Sequence, residues 1–253
     1  MWIFENPKSY PDMCKKIAQS VFVISLIELF ILAQISNDFS EILKKISFNT
    51  ETQICGIKMY VSYIYIPLVL SIIENIFKMH DKIGRIFKIR PRNAATVIFP
   101  AYLKELGISN SKSNKDQKRL YYANKDLQRE MGDHFYYHVS YSHPKIDNHE
   151  IYMALDSWTW FWIILDTFCV TMLFIIALIV VSIFFFRVSM KLYVGLSIYL
   201  LLLLLLDFFL LKHRCSYYTK REIHLAIKYD KENNNGKLNE KLKGQIENAL
   251  YNK

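Results

Sequence analysis

The chain has 253 residues, 52% of them hydrophobic, and a formal net charge of +9. A soluble domain disperses its apolar residues at the period of a helix or a strand. Here the apolar residues are concentrated in blocks, and the charged residues lie between the blocks. Because a helix needs roughly 20 apolar residues to cross a bilayer, this pattern excludes an ordinary soluble domain and predicts an all-α membrane protein.

Four blocks are long enough to be predicted as transmembrane helices. They cover about residues 18–36, 57–77, 162–186 and 192–211. The third apolar block starts at Ser157, but Trp158, Trp160 and Trp162 are expected at the headgroup level, where tryptophan is enriched. The predicted organisation is an N-terminal arm with two spans (1–77), a basic, mostly helical cytoplasmic domain (78–156), two further spans (157–211) and a helical tail (212–253).

The distribution of lysine and arginine predicts the orientation of the spans. Three basic residues lie in the N-terminal arm, fourteen in the loop between the second and third spans, and ten in the tail. The two remaining connections together hold five. Because basic residues near span ends are enriched on the cytoplasmic side, we expect both termini, the long loop and the tail in the cytoplasm.

The cytoplasmic loop begins with the sequence FKMHDKIGRIFKIRPR. Apolar and basic residues alternate in it at near-helical spacing, which predicts a basic amphipathic helix that ends before Pro91. Such a helix lies on an anionic membrane surface, unless its apolar face packs on the rest of the loop. The basic residues predicted at the membrane surface are Lys78, Lys82, Arg85, Lys88, Arg90 and Arg92.

The rest of the loop is predicted to be mainly helical. A helix is expected over residues 93–106, closed by Gly107, and another over residues 117–131, closed by Gly132, since glycine is common just beyond a helix C-terminus. Residues 135–141 are compatible with a short strand.

The tail contains an NNNG sequence that is followed by apolar residues at a spacing of four. This spacing predicts a final helix with one narrow apolar stripe. The stripe would pack on another helix, either of the same chain or of a second copy. Its residues are Leu238, Leu242, Ile246 and Leu250.

Four acidic residues fall inside the predicted spans: Glu28, Glu74, Asp166 and Asp207. Glu28 lies near the middle of the first span, where an ionised carboxylate costs on the order of 3 kcal/mol. We therefore expect it to face the protein interior or a pore. The other three lie toward the cytoplasmic ends of their helices. They are expected to pair with lysines such as Lys78, Lys82 or Lys212, or to form a polar ring inside the bundle.

The loop also contains a histidine-rich segment, DHFYYHVSYSHPKIDNH. His134 and His138 would share one helix face, so these two residues and His143 are candidates for binding a metal or another ligand. An aromatic packing surface is the competing interpretation, because the sequence contains no H-E-x-x-H pattern. No catalytic residue, metal ligand or cofactor is assigned from the sequence.

The order of the elements resembles that of the small four-helix membrane effectors of bacterial anti-phage defence systems. This order is two spans, a basic cytoplasmic domain, two further spans and a helical tail. The resemblance covers the whole chain at the level of architecture and transfers no functional residue. It implies a multi-pass protein of the bacterial inner membrane that oligomerises and permeabilises the bilayer when its cytoplasmic domain is engaged.

The expected partners are therefore the lipid bilayer, further copies of the chain, and a soluble protein or nucleotide signal at the cytoplasmic domain. Nucleic acid is not expected, because membrane orientation already explains much of the positive charge. Two other hypotheses stay open. One is a membrane-bound enzyme that acts through residues 134–149, and the other is a passive scaffold that holds a soluble partner at the membrane.

Overall fold

The computed structural model describes residues 5–35, 37–48, 50–54, 57–108, 113–184 and 190–251. These residues form an almost entirely helical fold. The helices are α1 (Tyr10–Ile35), α2 (Asn37–Ile46), α3 (Ser62–Phe77), α4 (Met79–Ile86), α5 (Ile89–Asn93), α6 (Phe99–Glu105), α7 (Asn114–Ala123), α8 (Lys125–Val139), α9 (Asn148–Phe184), α10 (Met190–Leu205), α11 (Lys212–Asn233) and α12 (Lys237–Tyr251). π-Helical segments join α5 to α6 (Ala94–Ile98) and α10 to α11 (Leu206–Leu211).

The chain divides into two compact units, which we name by their sequence. The span unit comprises mainly Pro11–Lys82 and Thr159–Lys212. The loop-and-tail unit comprises mainly Ile83–Trp158 and His213–Lys253. Each unit is described by itself below.

Three helices are long and apolar enough to cross a membrane, which indicates a membrane protein. They are Tyr10–Ile35, Asn148–Val180 and Met190–Asn233. Helices α3 and α4 together form a fourth candidate, but they are bent by 66° where they meet. The bend lies at Lys78, which takes a left-handed backbone conformation with φ 46°. Among the described residues, three helices are thus long and apolar enough to cross a membrane, or four if the bent pair counts as one.

The structure moves several predicted boundaries of the spans. The second helix begins at Ser62 rather than at residue 57, because Ile57–Tyr60 forms a strand (β2) that pairs antiparallel with Glu51–Ile54 (β1). The first and third helices begin earlier than their apolar blocks, since polar residues continue a helix beyond the hydrocarbon-length segment. The predicted ends of the first and third spans, at residues 36 and 186, lie outside the described residues.

The predicted basic helix over residues 78–92 is two helices, α4 and α5. The helix is interrupted at Lys88, where φ is 52°, and a new helix starts at Ile89. The prediction that Pro91 ends the helix is wrong. Pro91 lies in the first turn of α5, where a backbone N–H has no helical partner and its absence costs nothing.

The helix predicted over residues 93–106 is present as a π-helical segment followed by α6. Pro100 lies in the first turn of α6, directly after the π-helical segment, whose wider turn changes the local path of the backbone. In a regular helix its ring would clash with the carbonyl four residues earlier. Gly107 follows with φ 66°, a conformation that glycine adopts without strain.

Gly132 does not end a helix, and the predicted strand over residues 135–141 is wrong. Helix α8 runs from Lys125 through Gly132 to Val139. A glycine in a helix interior costs about 1 kcal/mol relative to alanine. The helix tolerates this cost because it buries side chains on both sides of the glycine, among them Leu127 and His138.

The apolar stripe of α12 packs inside the loop-and-tail unit. Leu242, Ile246 and Leu250 are buried in one core cluster with Ile223 of α11 and Phe99 of α6. Leu238, at the start of the stripe, is only partly buried. Of the two alternatives that the sequence left open, the structure therefore shows packing within the same chain for these three residues.

This packing predicts a large effect of truncating one stripe residue. Ile246→Ala leaves a cavity in the core and should lower the free energy of unfolding of the loop-and-tail unit by about 2–5 kcal/mol. Hydrogen exchange of the α12 amides in the full-length protein, read by mass spectrometry, measures the loss. Leu238→Ala is the matched control, with an expected loss of about 1 kcal/mol or less. A changed oligomeric state with unchanged α12 protection would instead place the stripe at an interface.

Candidate functional site

The span unit has apolar residues on its exterior and polar residues in its interior. Large aliphatic and aromatic side chains are exposed along α3, α9 and α10, as expected for surfaces that face lipid. They include Leu68, Val69, Ile72, Ile76, Leu173, Ile176, Ile179, Val194, Ile198, Leu201 and Leu202. The buried polar residues include Lys16, Ser20, Ser25, Glu28, Glu74, His80, Asp166, Thr167 and Thr171. Buried ionisable groups in a membrane protein mark candidate functional sites.

The first site is centred on Glu28 of α1, which is 9% exposed. Thr171 of α9 donates a hydrogen bond from Oγ1 to Glu28 Oε1 over 3.1 Å. The hydroxyl of Tyr199, on α10, also forms a hydrogen bond with this carboxyl group. Glu28 Oε2 has no hydrogen-bond partner among the described residues. Two other helices therefore direct polar groups to the carboxylate of Glu28, as the costly burial of a mid-span acid requires.

The second site lies where α3 meets α4, and its members are Glu74, His80 and Asp166. Their exposed fractions are 4%, 1% and 3%. Glu74 Oε1 lies 2.6 Å from Nδ1 of His80, a close charge-assisted contact. Among the described residues, these three alone form a group of His, Cys, Asp or Glu side chains whose ligand atoms all lie within 4.8 Å of one another.

Asp166 is the unusual member of this second site. Both of its carboxyl oxygens are buried, and neither has a hydrogen-bond partner in the described part of the chain. Two carboxylates and one imidazole leave an excess of negative charge even when the histidine is protonated. Burying such a charge costs several kcal/mol unless a proton or a cation compensates it.

Asp207, in the π-helical segment between α10 and α11, is not part of this group. Lys212 lies close enough for its charge to act on the Asp207 carboxyl group. Glu74 in contrast pairs with His80 rather than with a lysine. Of the three acids expected toward the cytoplasmic ends of their helices, the structure thus brings together Glu74 and Asp166, but not Asp207.

His80, a member of the second site, and Cys14, which contacts it, were not predicted from the sequence. Cys14 Sγ lies 3.8 Å from Nε2 of His80. The sequence offers one signal for His80, which is a histidine directly after a span that ends in an acid. No local pattern connects either residue to Asp166, because the site forms only when distant helices pack.

The histidines of the loop-and-tail unit belong to a buried hydrogen-bond network. His134 Nδ1 lies 3.0 Å from the hydroxyl of Tyr102, and its Nε2 lies 3.0 Å from Oδ1 of Asn239. The amide nitrogen of Asn239 donates to the carbonyl of Ile227, so Oδ1 is an acceptor. Nε2 of His134 therefore carries the proton and Nδ1 accepts one from Tyr102, which leaves neither nitrogen for a metal ion.

His138 and His143 differ in their surroundings. Nδ1 of His138 donates to the carbonyl of His134 over 2.7 Å, and its ring lies 4.6 Å from the ring of His134. His143 is exposed. The two buried histidines, His134 and His138, are therefore engaged in packing and hydrogen bonding within the core. His143 differs from them because it is exposed.

Burial also sets the protonation of both core histidines. Desolvation, reinforced by the charge of His138, lowers the pKa of His134 to about 4. Desolvation likewise lowers the pKa of His138. Both imidazoles are thus neutral at pH 7, in agreement with the proton positions that the hydrogen bonds require.

All six basic residues of the α4–α5 region are exposed. These residues are Lys78, Lys82, Arg85, Lys88, Arg90 and Arg92. Ile86 and Phe87, which lie between them, are also exposed, at 74% and 53%, whereas Ile83 is buried. Basic and apolar side chains of this segment are thus both accessible to solvent, the composition expected of a segment that contacts an anionic membrane surface.

The chain belongs to the YmfE protein family, whose family model matches residues 9–233. The matched residues include both sites of the span unit, His134 and His138, but not Asn239 of the histidine network. No curated protein matches the chain, and no solved structure matches it.

The neutral core histidines predict that acid destabilises the loop-and-tail unit. Unfolded histidine takes up a proton near pH 6.5, whereas folded His134 does so only near its pKa of about 4. The stability is therefore present above pH 6.5 and is lost as the pH falls between these values. Between pH 7 and pH 5 the loss should be about 1–2 kcal/mol.

Hydrogen exchange of the α8 amides at the two pH values, corrected for intrinsic exchange rates, measures this loss in the full-length protein. His134→Gln should reduce the pH dependence, and the exposed His143→Gln should leave it unchanged. Equal protection of wild-type α8 at pH 7 and pH 5 would contradict the prediction.

Proposed function

We propose that the protein is a four-span protein of the bacterial inner membrane that permeabilises this membrane when a partner or ligand engages its cytoplasmic unit. The observation that carries the proposal is the carboxylate of Glu28, buried in the span unit and approached by polar groups of two other helices. A passive anchor has no need of such a group, because apolar residues hold a helix in lipid at no desolvation cost.

Polar residues continue along α1 beyond Glu28. Lys16, Ser20 and Ser25 are each 2% exposed or less. From Lys16 to Glu28 the helix rises about 18 Å, which is more than half of the roughly 30 Å hydrocarbon thickness. If the helices separate, water and ions can replace the protein contacts of these buried polar groups. The buried polar groups support a pathway that is closed at rest and opens on rearrangement.

The surface composition of α3 supports a fourth span. With 16 residues the helix is about 24 Å long, somewhat short for a bilayer, and basic residues that follow it can reach the interface. Ile72 and Ile76 are exposed on it, as suits contact with lipid. Lys78 and Lys82 follow directly, and basic flanks of this kind mark the cytoplasmic side. Four spans place both termini in the cytoplasm.

A row of exposed tyrosines supports engagement of the cytoplasmic unit by a partner. Tyr136, Tyr137 and Tyr141 are exposed by 70%, 46% and 52%, and Lys145 Nζ lies 5.9 Å from the ring of Tyr137. Aromatic rings next to a cation offer a surface for a soluble protein or for the base and phosphate of a nucleotide. The resemblance to anti-phage effectors makes phage infection the first condition under which to look for such a signal.

Assembly of several copies is part of the proposal. The polar groups of one span unit are packed in its own interior, so a single copy presents no aqueous surface to the bilayer. An open pathway therefore requires helices of more than one copy to line it. The tail stripe is packed within its own chain, and contacts between copies would use the exposed faces of the spans instead.

The proposed topology predicts the accessibility of single cysteines introduced into a cysteine-free variant. Lys45→Cys and Lys191→Cys should react with a membrane-impermeant maleimide in intact spheroplasts, because both connections face outward. Lys241→Cys should react only after permeabilisation. If the bent pair does not cross the membrane, Lys45 and Lys241 lie on the same side of it, and both or neither will react from outside.

The proposed activity predicts that expression or phage infection depolarises the cells, and that Glu28→Gln and Thr171→Val slow the depolarisation. A hydrogen bond to a charged group contributes about 1.5–3 kcal/mol, so we expect an effect of about tenfold. A membrane-potential dye reports the rate. Glu41→Gln is the matched control, since the Glu41 side chain is 58% exposed on α2. Unchanged polarisation of wild-type cells in both conditions would contradict the proposal.

A further inference from the structure

We infer that Glu74, His80 and Asp166 bind one divalent transition-metal ion, with Zn²⁺ as the reference ion, inside the span unit. The inference concerns a site separate from Glu28 and does not depend on the permeabilising activity. It rests on the ligand types, their mutual distances and the unpartnered carboxylate of Asp166.

The three side chains supply a suitable set of ligands. One imidazole nitrogen and two carboxylate oxygens, all within 4.8 Å of one another, match the nitrogen and oxygen donors of zinc sites with three protein ligands. An imidazole favours transition metals over Mg²⁺ and Ca²⁺, which prefer six or more oxygen ligands. Three protein ligands leave a further coordination position for water.

The distances require only a small adjustment around an ion. Ligands at about 2.0–2.1 Å from a tetrahedral Zn²⁺ are about 3.3 Å from one another. Glu74 Oε1 and His80 Nδ1 are 2.6 Å apart, so they would separate by less than 1 Å. The Asp166 oxygen lies within 4.8 Å of both atoms and would approach them by at most about 1.5 Å.

Asp166 supplies the observation that a simple ion pair does not explain. A pair of Glu74 and His80 satisfies both of these residues, yet it leaves two buried Asp166 oxygens without hydrogen bonds among the described residues. A cation between the three side chains bonds to an Asp166 oxygen and neutralises the second carboxylate at the same time. Both costs of burial are then removed by one ion.

The surroundings of His80 fit the secondary contacts that metal-bound histidines make. A ligating imidazole commonly donates its other N–H to a nearby acceptor, which fixes the ring. With Nδ1 facing Glu74, the remaining nitrogen of His80 is Nε2. It lies 3.8 Å from Sγ of Cys14 and 3.8 Å from Oδ1 of Asp81. These two groups would hold the ring in the orientation that directs Nδ1 to the ion.

Such an ion would join two distant parts of the span unit. Glu74 lies in the last turn of α3 and His80 in the first turn of α4, on either side of the left-handed Lys78, whereas Asp166 belongs to α9. Binding would therefore fix the junction of α3 and α4 against α9. Removal of the ion would remove this link.

The test uses the full-length protein purified in detergent, stripped of metal with a chelator and then titrated with Zn²⁺ against a chromophoric chelator. We expect one high-affinity equivalent per chain. Asp166→Asn and Glu74→Gln should weaken it by at least about 100-fold. Asp207→Asn, the same substitution at a partly buried acid of the span unit, is the matched control and should bind like the wild type.

Spectra of the Co²⁺-loaded wild type provide a second measurement that does not depend on the folding of any variant. Bound Co²⁺ with protein nitrogen and oxygen ligands should give intense visible bands, and Cys14→Ser should keep them, because the thiol contacts the histidine and not the ion. The spectrum of free Co²⁺ would overturn the inference. Zn²⁺ binding that survives Asp166→Asn in a helical, monodisperse protein would overturn it too, and would leave a protonated Asp166 beside an ion pair. Neither result alters the expected depolarisation of cells.

Discussion

Hydrocarbon cannot solvate polar groups, and every polar side chain in the span unit must therefore find its partners inside the protein. Exposed aliphatic residues cover α3, α9 and α10, while Glu28, Glu74 and Asp166 are buried. This arrangement is the reverse of a soluble core, and it makes each buried acid expensive. The hydrogen bonds at Glu28 and the contact of Glu74 with His80 follow from the same requirement. Of these three acids, only Asp166 has both carboxyl oxygens without a hydrogen-bond partner among the described residues, and a bound cation would supply the missing interaction.

The apolar blocks and the periodicity of the tail were readable from the sequence because both are local patterns. The blocks at Tyr10–Ile35, Asn148–Val180 and Met190–Asn233 are helices long and apolar enough to cross a membrane. Local signals failed where packing overrides propensity. Gly132 lies inside α8, and Pro91 lies inside α5. Glycine and proline end a helix at some positions and are tolerated at others. The sequence alone does not show where each residue lies relative to the helix ends.

The candidate sites were harder to predict than the helices, because they depend on contacts between distant residues. Glu28 and Asp166 attracted attention as single acids in apolar surroundings. Thr171, the partner of Glu28, and His80, the partner of Glu74, attract far less attention, since a threonine or a histidine near a span is ordinary. The pairing of His134 with Tyr102 and Asn239 has the same origin. A histidine-rich segment resembles a metal site in sequence, and only the fold shows that its ring nitrogens are already used.

Helix α9 contributes a residue to each of the two sites of the span unit and therefore connects them. Asp166 and Thr171 are five residues apart on it, a rise of about 7.5 Å. The same helix begins at Asn148, in the loop-and-tail unit, where Glu150 and Asp156 form ion pairs with Arg221 and Arg214 of α11. Because Asp166 and Thr171 belong to one helix, a shift or rotation of this part of α9 displaces them together, so the surroundings of Glu28 and of the Glu74–His80 pair change in concert.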